Sequence, residues 1–336
     1  MNVTVTGGAG YVGSHVVTAL VEAGHTVQVL DDLSTGFAAS VKDVPGVELF
    51  RIDVLDTRAL TDALSAFQPS VLIHMAGRIA VGESVRIPEE YYRVNIQGAL
   101  SVLKAMLEAH VKRIVFSSSA AIYGLPKKVP IPEDHPKNPA SPYGHTKWMF
   151  EEILQDYASP YGLGSISLRY FNASGADPSG DKGEAHNPET HLIPLTLKAV
   201  QTGKPLSIFG TDYNTPDGTA VRDYIHVSDL AKAHVYAAEN CPVGAAVAYN
   251  CGTGKGYSVK EVVDTCAKVT GKKVPVEEKP RRPGDSPELV AAVGRIFEEL
   301  GWTPERSKLA TIVEDAWRWH SKHPKGYEAA GVAESA

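Results

Sequence analysis

Short β-branched runs alternate with stretches of helical period through the first half of the chain. Asn2 to Val5 reads as a strand. Val12, His15, Val16, Ala19, Leu20 and Ala23 then recur at helix spacing, and Gly24 follows as the residue that ends the helix. Further strands are expected at Thr26–Leu30, Val47–Phe50, Val71–His74 and Arg113–Phe116. Between them, Asp56 to Phe67 places Leu60, Ala63, Leu64 and Phe67 on one face, and Glu89 to Ala109 reads as one long helix. Such alternation predicts an α/β fold with a parallel, doubly wound sheet covered on both faces. Ligands in these sheets bind beyond the carboxyl ends of the strands. Gly7 to Gly13, Asp31, Asp53-Val54, Ala76-Gly77 and Ser117 to Ser119 all fall there.

From Asn172 onward turn residues cluster, as in Asp177-Pro178-Ser179-Gly180-Asp181 and Tyr213 to Gly218. Helices are expected at His191–Gln201, Ser228–Ala238, Val259–Val269 and Lys308–His320. Residues 1–170 are expected to form one domain and residues 171–336 a smaller, mixed α/β one. A segment near 220–250 is expected to return to the first domain, because Asp223 to Val227 reads as a strand and turn beside its sheet. Trp302, Trp317 and Trp319 read as packing residues, and the small, polar tail Ala329–Ala336 as mobile.

Composition narrows the partner classes. Apolar residues are 43% and charged residues 21% of 336, which excludes a disordered or low-complexity chain. With 33 Lys and Arg against 39 Asp and Glu, net charge is −6, which is not the basic footprint of a nucleic-acid binder. Cys241, Cys251 and Cys266 form no Cys-x-x-Cys pair and read as free thiols of a cytoplasmic protein. No apolar run approaches the roughly 20 residues of a membrane span, and the N-terminus reads as a strand rather than a signal peptide. His186 and His191 share a loop with Glu184 and Glu189, but their spacing is irregular for a metal site and no cysteine assists, so no metal is expected.

The segment Thr6-Gly7-Gly8-Ala9-Gly10-Tyr11-Val12-Gly13 sits between the first strand and the first helix. One glycine permits the turn, another admits a pyrophosphate to the backbone, and a third lets helix meet strand closely. The helix N-terminus then offers free N–H groups to the phosphates. Asp31, at the end of the second strand, accepts from ribose hydroxyls and repels a 2′-phosphate. The Rossmann-type pattern is complete and favours NAD over NADP, with Asp53 and Val54 placed at the adenine edge.

Ser141 and Pro142 open a helix on which Tyr143 and Lys147 share a face. A free tyrosine titrates near ~10 and is a poor base at neutral pH. A nearby ammonium and a nicotinium ring favour its phenolate. Ser119, at a strand end, is suited to orient the same substrate hydroxyl.

These residues resemble those of the extended short-chain dehydrogenase/reductases. Longer strings narrow the likeness: Ala80-Val81-Gly82-Glu83-Ser84-Val85, Ser117-Ser118-Ser119-Ala120, Ser141-Pro142-Tyr143-Gly144, Leu168-Arg169-Tyr170-Phe171-Asn172, Ile208-Phe209-Gly210, Val221-Arg222-Asp223-Tyr224-Ile225-His226 and Arg281-Arg282-Pro283-Gly284-Asp285. Together they resemble the UDP-glucose (UDP-galactose) 4-epimerase family, over residues 1 to about 327. The resemblance implies that Tyr143 takes the proton from the sugar O4, that hydride passes from C4 to NAD, and that both return after the 4-keto sugar turns over. It implies Ser119 as the O4 anchor and Lys147 as a ribose ligand that depresses the Tyr143 pKa. The implied cofactor residues are Gly7, Gly10, Tyr11, Val12, Gly13, Asp31, Asp53, Val54, Ala76, Gly77, Asn95, Ser117, Tyr143, Lys147 and Tyr170. For UDP-glucose and UDP-galactose they are Val81, Ser119, Tyr143, Phe171, Asn172, His191, Leu192, Phe209, Arg222, Arg282, Asp285 and Leu289. Arg222 and Arg282 suit a diphosphate on their own chemistry, while the plainer reading is two surface ion pairs, Arg222-Asp223 and Arg282-Asp285. A homodimer is implied too, through Glu89–Ala109 and Pro142–Tyr157.

Three positions depart from the family pattern. Ile79 stands where a cofactor-contacting lysine is common, with Arg78 beside it; His191 stands where asparagine is frequent; and Leu289 stands where a tyrosine or a cysteine gates N-acetylated sugars. The nearest rivals are a sugar-nucleotide 4,6-dehydratase or a UDP-glucuronate decarboxylase, but Ser119 is followed by Ala120 and Ala121 rather than by the acid that elimination needs. An N-acetylhexosamine or pentose 4-epimerase would use the same residues. A non-catalytic NAD sensor on this fold would have no use for Ser119, Tyr143 and Lys147 together.

Overall fold

The computed structural model describes residues 1–282 and 284–327; the tail Ala329–Ala336 lies outside the described residues. The first half runs β1 (Asn2–Thr6), α1 (Tyr11–Glu22), β2 (Thr26–Asp31), β3 (Glu48–Arg51), α2 (Thr57–Phe67) and β4 (Val71–His74). It continues through α3 (Val81–Arg86), α4 (Pro88–Tyr92), α5 (Ala99–Glu108), β5 (Arg113–Ser119), α6 (Pro142–Tyr161) and β6 (Gly164–Tyr170). The second half holds β7 (Asn172–Ser174), α7 (Leu192–Thr202), β8 (Leu206–Phe209), β9 (Val221–His226), α8 (Val227–Glu239) and β10 (Ala246–Cys251). Then come β11 (Gly256–Ser258), α9 (Val259–Thr270), β12 (Val276–Lys279), β13 (Glu288–Leu289), α10 (Gly294–Leu300) and α11 (Leu309–Lys322).

Seven parallel strands form the large sheet in the order β10-β6-β5-β4-β1-β2-β3. Its two faces carry separate cores. On one, Val3, Val5, Val29 and Ile73 meet Val16 and Leu20 of α1 and Leu230 and Ala233 of α8. On the other, Leu30, Leu72 and Ile114 meet Leu60 and Leu64 of α2, Val102 and Met106 of α5, and Phe150 and Leu154 of α6. This is the double-sided Rossmann-type arrangement the alternating pattern predicts. The strand order reverses at β1, between β2 and β4, and the glycine loop leaves the sheet at that switch point.

Two expectations change. The run Glu89–Ala109 is not one regular helix: a π-helical stretch, Arg93–Gly98, separates α4 from α5. Asn95 lies in this stretch, and its amide bonds the Arg78 backbone and Thr146. The strand at Asp223–Val227 exists as β9, but it joins a small sheet with β7, β11 and β13. The segment that re-enters the large sheet is β10, set beside β6 after α8 has packed on α1. Its sequence, Ala246-Val247-Ala248-Tyr249-Asn250-Cys251, is short and mostly small, which hid it from a pattern search. A third core, with Leu197, Val262, Ile312 and Val313, joins α7, α9 and α11 around β8 and β9. Trp302 and Trp319 are fully buried and Trp317 is half-buried, as packing residues. All three cysteines are free and buried.

Candidate active site

Close approach requires the glycines of the first loop. Gly7 has φ +72°, and a Cβ there would lie 2.5 Å from the Ala76 nitrogen. A Cβ on Gly13 would lie 2.1 Å from the Gly7 carbonyl oxygen. The loop is therefore wedged between the start of α1 and the Ala76-Gly77 turn. Gly10 caps α1 without a side-chain bond, which leaves the first N–H groups of Tyr11, Val12 and Gly13 for an anion. Asp31 is buried and accepts from the Ala9 and Leu33 amides, each at 2.9 Å. Burial pushes its carboxyl above the ordinary value while those amides pull it back. Val54 is buried under Gly98, with exposed Asp53 beside it at the end of β3. Asn95 accepts from the Arg78 amide at 2.8 Å and donates to Thr146 of α6 at 3.1 Å, joining the Ala76-Gly77 turn to the helix of Tyr143.

Across the end of β5 stand Ser119, Tyr143 and Lys147, all buried. Ser141 caps α6 by accepting from the Gly144 amide at 3.2 Å, with Pro142 in the first turn. Lys147 Nζ donates to the Ser117 carbonyl at 2.8 Å and lies 5.8 Å from the Tyr143 ring centroid. Burial lowers the Lys147 pKa to about 8, with Glu151 opposing. The Tyr143 phenol is pushed up by burial and drawn down by a hydrogen bond with Ser119. The expected depression of Tyr143 is thus not reached in the chain by itself; burial wins. Tyr170 is close by, its phenol raised by burial and then by the nearby Tyr143, with the Ser117 hydroxyl opposing.

The chain matches, over residues 3–252, the family described as NAD dependent epimerase/dehydratase. It belongs to that family. It is 47% identical over 329 residues to the UDP-glucose 4-epimerase of Halalkalibacterium halodurans, covering 97% of this chain and 98% of that one. It is 48% identical to the UDP-glucose 4-epimerase of Corynebacterium glutamicum, covering 96% of each. The solved UDP-glucose 4-epimerase of Bifidobacterium longum, in complex with NAD+ and UDP, superposes with a TM-score of 0.92 at 38% identity, covering 97% of this chain and 100% of that chain. NAD is the family's cofactor, and the glycine cradle, the uncapped start of α1 and buried Asp31 fit it.

Apart from Val81, Ser119 and Tyr143, the residues expected to bind the sugar nucleotide lie after residue 170. Phe171 and Leu289 pack together with Ala120 and Tyr123 just behind Ser119. Asn172 donates to the Asp223 carbonyl at 2.9 Å, and Leu289 lies beside Arg222 where β13 pairs with β9. The arginines do not form the ion pairs their neighbours suggested. Arg222 pairs with Asp285, whereas buried Asp223 accepts from Thr253, Gly254 and Ala291 and organises the small sheet. Arg282 stacks over the Phe209 ring at 4.0 Å. Val81 and Ile79 are exposed, and the Arg78 guanidinium is engaged by Glu83 at 3.3 Å and Glu90 at 3.8 Å.

His191 caps α7, next to Leu192. Its Nδ1 lies 2.6 Å from Glu184 and 3.2 Å from Glu189, and the Glu184 carboxylate also takes His186 at 2.9 Å. Although burial opposes charge on the imidazole, the two carboxylates more than reverse this and hold His191 protonated. Irregular spacing along the chain does not stop these four side chains converging, with their ligand atoms within 4.8 Å. The 2.6 Å contact is an ion pair between the His191 imidazolium and the Glu184 carboxylate.

Two tyrosines that sequence reasoning did not single out stand near these residues. Tyr213 is buried among Asp285, Arg281 and Arg222, with its hydroxyl unpartnered. Tyr327 packs on Phe37 and bonds Gly183, closing over the glycine loop from the chain's far end. No local signal marks either contact, since each depends on segments far apart in sequence.

Proposed function

We propose that the protein interconverts UDP-glucose and UDP-galactose by NAD-dependent epimerisation at C4 of the sugar. The observation that carries this reading is the convergence of Ser119, Tyr143 and Lys147 beside the glycine cradle, in a chain nearly half identical to UDP-glucose 4-epimerases. Bound NAD supplies a reversible hydride acceptor, so the cycle has no net redox change. Tyr143, as phenolate, takes the proton of the 4-hydroxyl and later returns it to O4 on the opposite face. Ser119 hydrogen-bonds the same oxygen and fixes its distance from the phenol. Lys147 supplies the positive charge that favours phenolate and a donor for the nicotinamide ribose. Arg222 and Arg282 hold the diphosphate, with protonated His191 and the start of α7 beside it, so a net charge of −6 does not oppose binding. Asp285 passes from Arg222 to a ribose hydroxyl when the diphosphate takes the guanidinium. Phe171 and Leu289 form the sugar wall, and the bulk of Leu289 favours sugars without an N-acetyl group.

In this reading residues 1–170, with the return near 220–250, hold NAD, and the remainder of 171–336 holds UDP-sugar. We place the enzyme in the cytoplasm, in galactose metabolism. Among the described residues no helix is long and apolar enough to cross a membrane. It acts as a homodimer through α4–α5 and α6, a reading supported by exposed Tyr92, Leu100, Met149 and Tyr161 on those helices. The test is to incubate purified protein with UDP-galactose and follow UDP-glucose by chromatography. Interconversion is expected; NAD-bearing protein that converts neither sugar rejects the reading.

A further inference from the structure

Tyr143, Lys147 and Glu151 occupy successive turns on one face of α6, and all three are buried. Three polar groups on a buried stripe are costly unless each is bonded. Three consecutive serines of β5 meet them: Ser119 stands beside Tyr143, the Ser117 carbonyl takes Lys147, and the Ser118 hydroxyl donates to Glu151. Arg169 of β6 then clamps both Glu151 oxygens, with Nε at 3.0 and 3.1 Å and Nη2 at 2.6 Å. Its remaining nitrogen donates to the Tyr123 hydroxyl at 3.0 Å and to the Glu133 carbonyl at 2.9 Å. Tyr123 ends the tight turn Ala120–Tyr123 that follows Ser119, and its hydroxyl donates to Asn250 of β10 at 2.7 Å. One guanidinium therefore ties together both walls of the gap between Ser119 and Tyr143.

A buried ion pair adds little stability over a well-packed apolar pair of the same volume, because desolvation offsets the Coulomb gain. What this pair does specify is direction. The bidentate fork and the Ser118 bond fix the rotation and axial position of α6 against β5. We propose that Glu151, held by Arg169, is a positioning residue that sets the distance between the Tyr143 phenol and the Ser119 hydroxyl. This rests on the reading of Tyr143 as base and Ser119 as O4 anchor. Glu151 touches neither sugar nor cofactor; it acts through α6.

The test uses NAD-loaded enzyme carrying Glu151→Gln, which keeps size and hydrogen bonding but weakens the clamp, and separately Ser118→Ala, which keeps the ion pair. For Glu151→Gln, kcat with UDP-galactose falls by about 10- to 100-fold while KM, UDP affinity and NAD content stay within about twofold. Ser118→Ala shows the same split with a smaller fall, about three- to tenfold. An unaltered kcat in both variants overturns the proposal, as does a KM that rises in step with the loss of kcat. If Glu151→Gln does not fold, Ser118→Ala decides, and a kcat equal to the parent's rejects the positioning role. An inactive parent would instead reject the epimerase reading itself.

Discussion

Removing the positive charge of Lys147 tests the electrostatics of the base. The ammonium lies 5.8 Å from the Tyr143 ring centroid, where at an effective dielectric near 20 a unit charge favours the phenolate by about 3 kcal/mol, or roughly two pK units. Burial already raises the phenol, so the variant has nothing in reserve. Lys147→Met keeps the buried stem and removes the charge. At pH 7 its turnover of UDP-galactose is predicted to fall about 100-fold, and each unit of added pH to restore about tenfold as the phenolate population recovers. In the parent, Lys147 titrates at about 8, so its advantage is present below that pH and declines above it. The two rate–pH profiles therefore converge on the alkaline side. The assay is initial-rate epimerisation from pH 6 to 10 under saturating NAD, with NAD content measured on the same samples. A fall below about threefold, or one that rising pH does not repair, refutes the electrostatic role.

Other substitutions separate the remaining parts. Tyr143→Phe is predicted to bind UDP as the parent does, by calorimetry, and to lose about 10²- to 10⁴-fold in turnover. Arg222→Met should weaken UDP affinity about 10- to 100-fold, the worth of a charged hydrogen bond, while NAD content is unchanged. Elsewhere, burial opposes ionisation of Asp315, yet His226, Arg306 and Arg318 hold its carboxyl at about 2 against an ordinary 3.8. That contribution to stability is present above pH 3.8 and is lost as pH falls towards 2, so acid melts of Asp315→Asn should show a shallower loss than the parent over that interval.

The chemistry that depends on local pattern was legible in the sequence. The glycine loop, Asp31, the Ser141 cap and the pair Tyr143 and Lys147 each lie on a short strand–turn–helix stretch, so local spacing placed them on their elements. What escaped depends on segments meeting from afar. β10 is short and comes from beyond α8, so its place beside β6 has no local mark, and a π turn with Asn95 in it interrupts an otherwise regular helical run. Neighbouring charges misled for a related reason: Arg222 follows the β9 backbone to Asp285 rather than to adjacent Asp223, because successive side chains on a strand face opposite sides. The Arg169–Glu151 clamp was invisible because neither residue's role can be seen until β5, β6 and α6 are assembled.

Removal of hydride from C4 and its return to the same carbon is the central claim. UDP-galactose deuterated at C4 tests it most directly, with the UDP-glucose product examined by mass spectrometry and proton NMR after incubation in ordinary water. The account predicts product that keeps its deuterium at C4, because the hydride never exchanges with solvent. Product that has lost the label to water would mean proton abstraction at C4 rather than hydride transfer, and would contradict the roles given to Tyr143 and the NAD cradle.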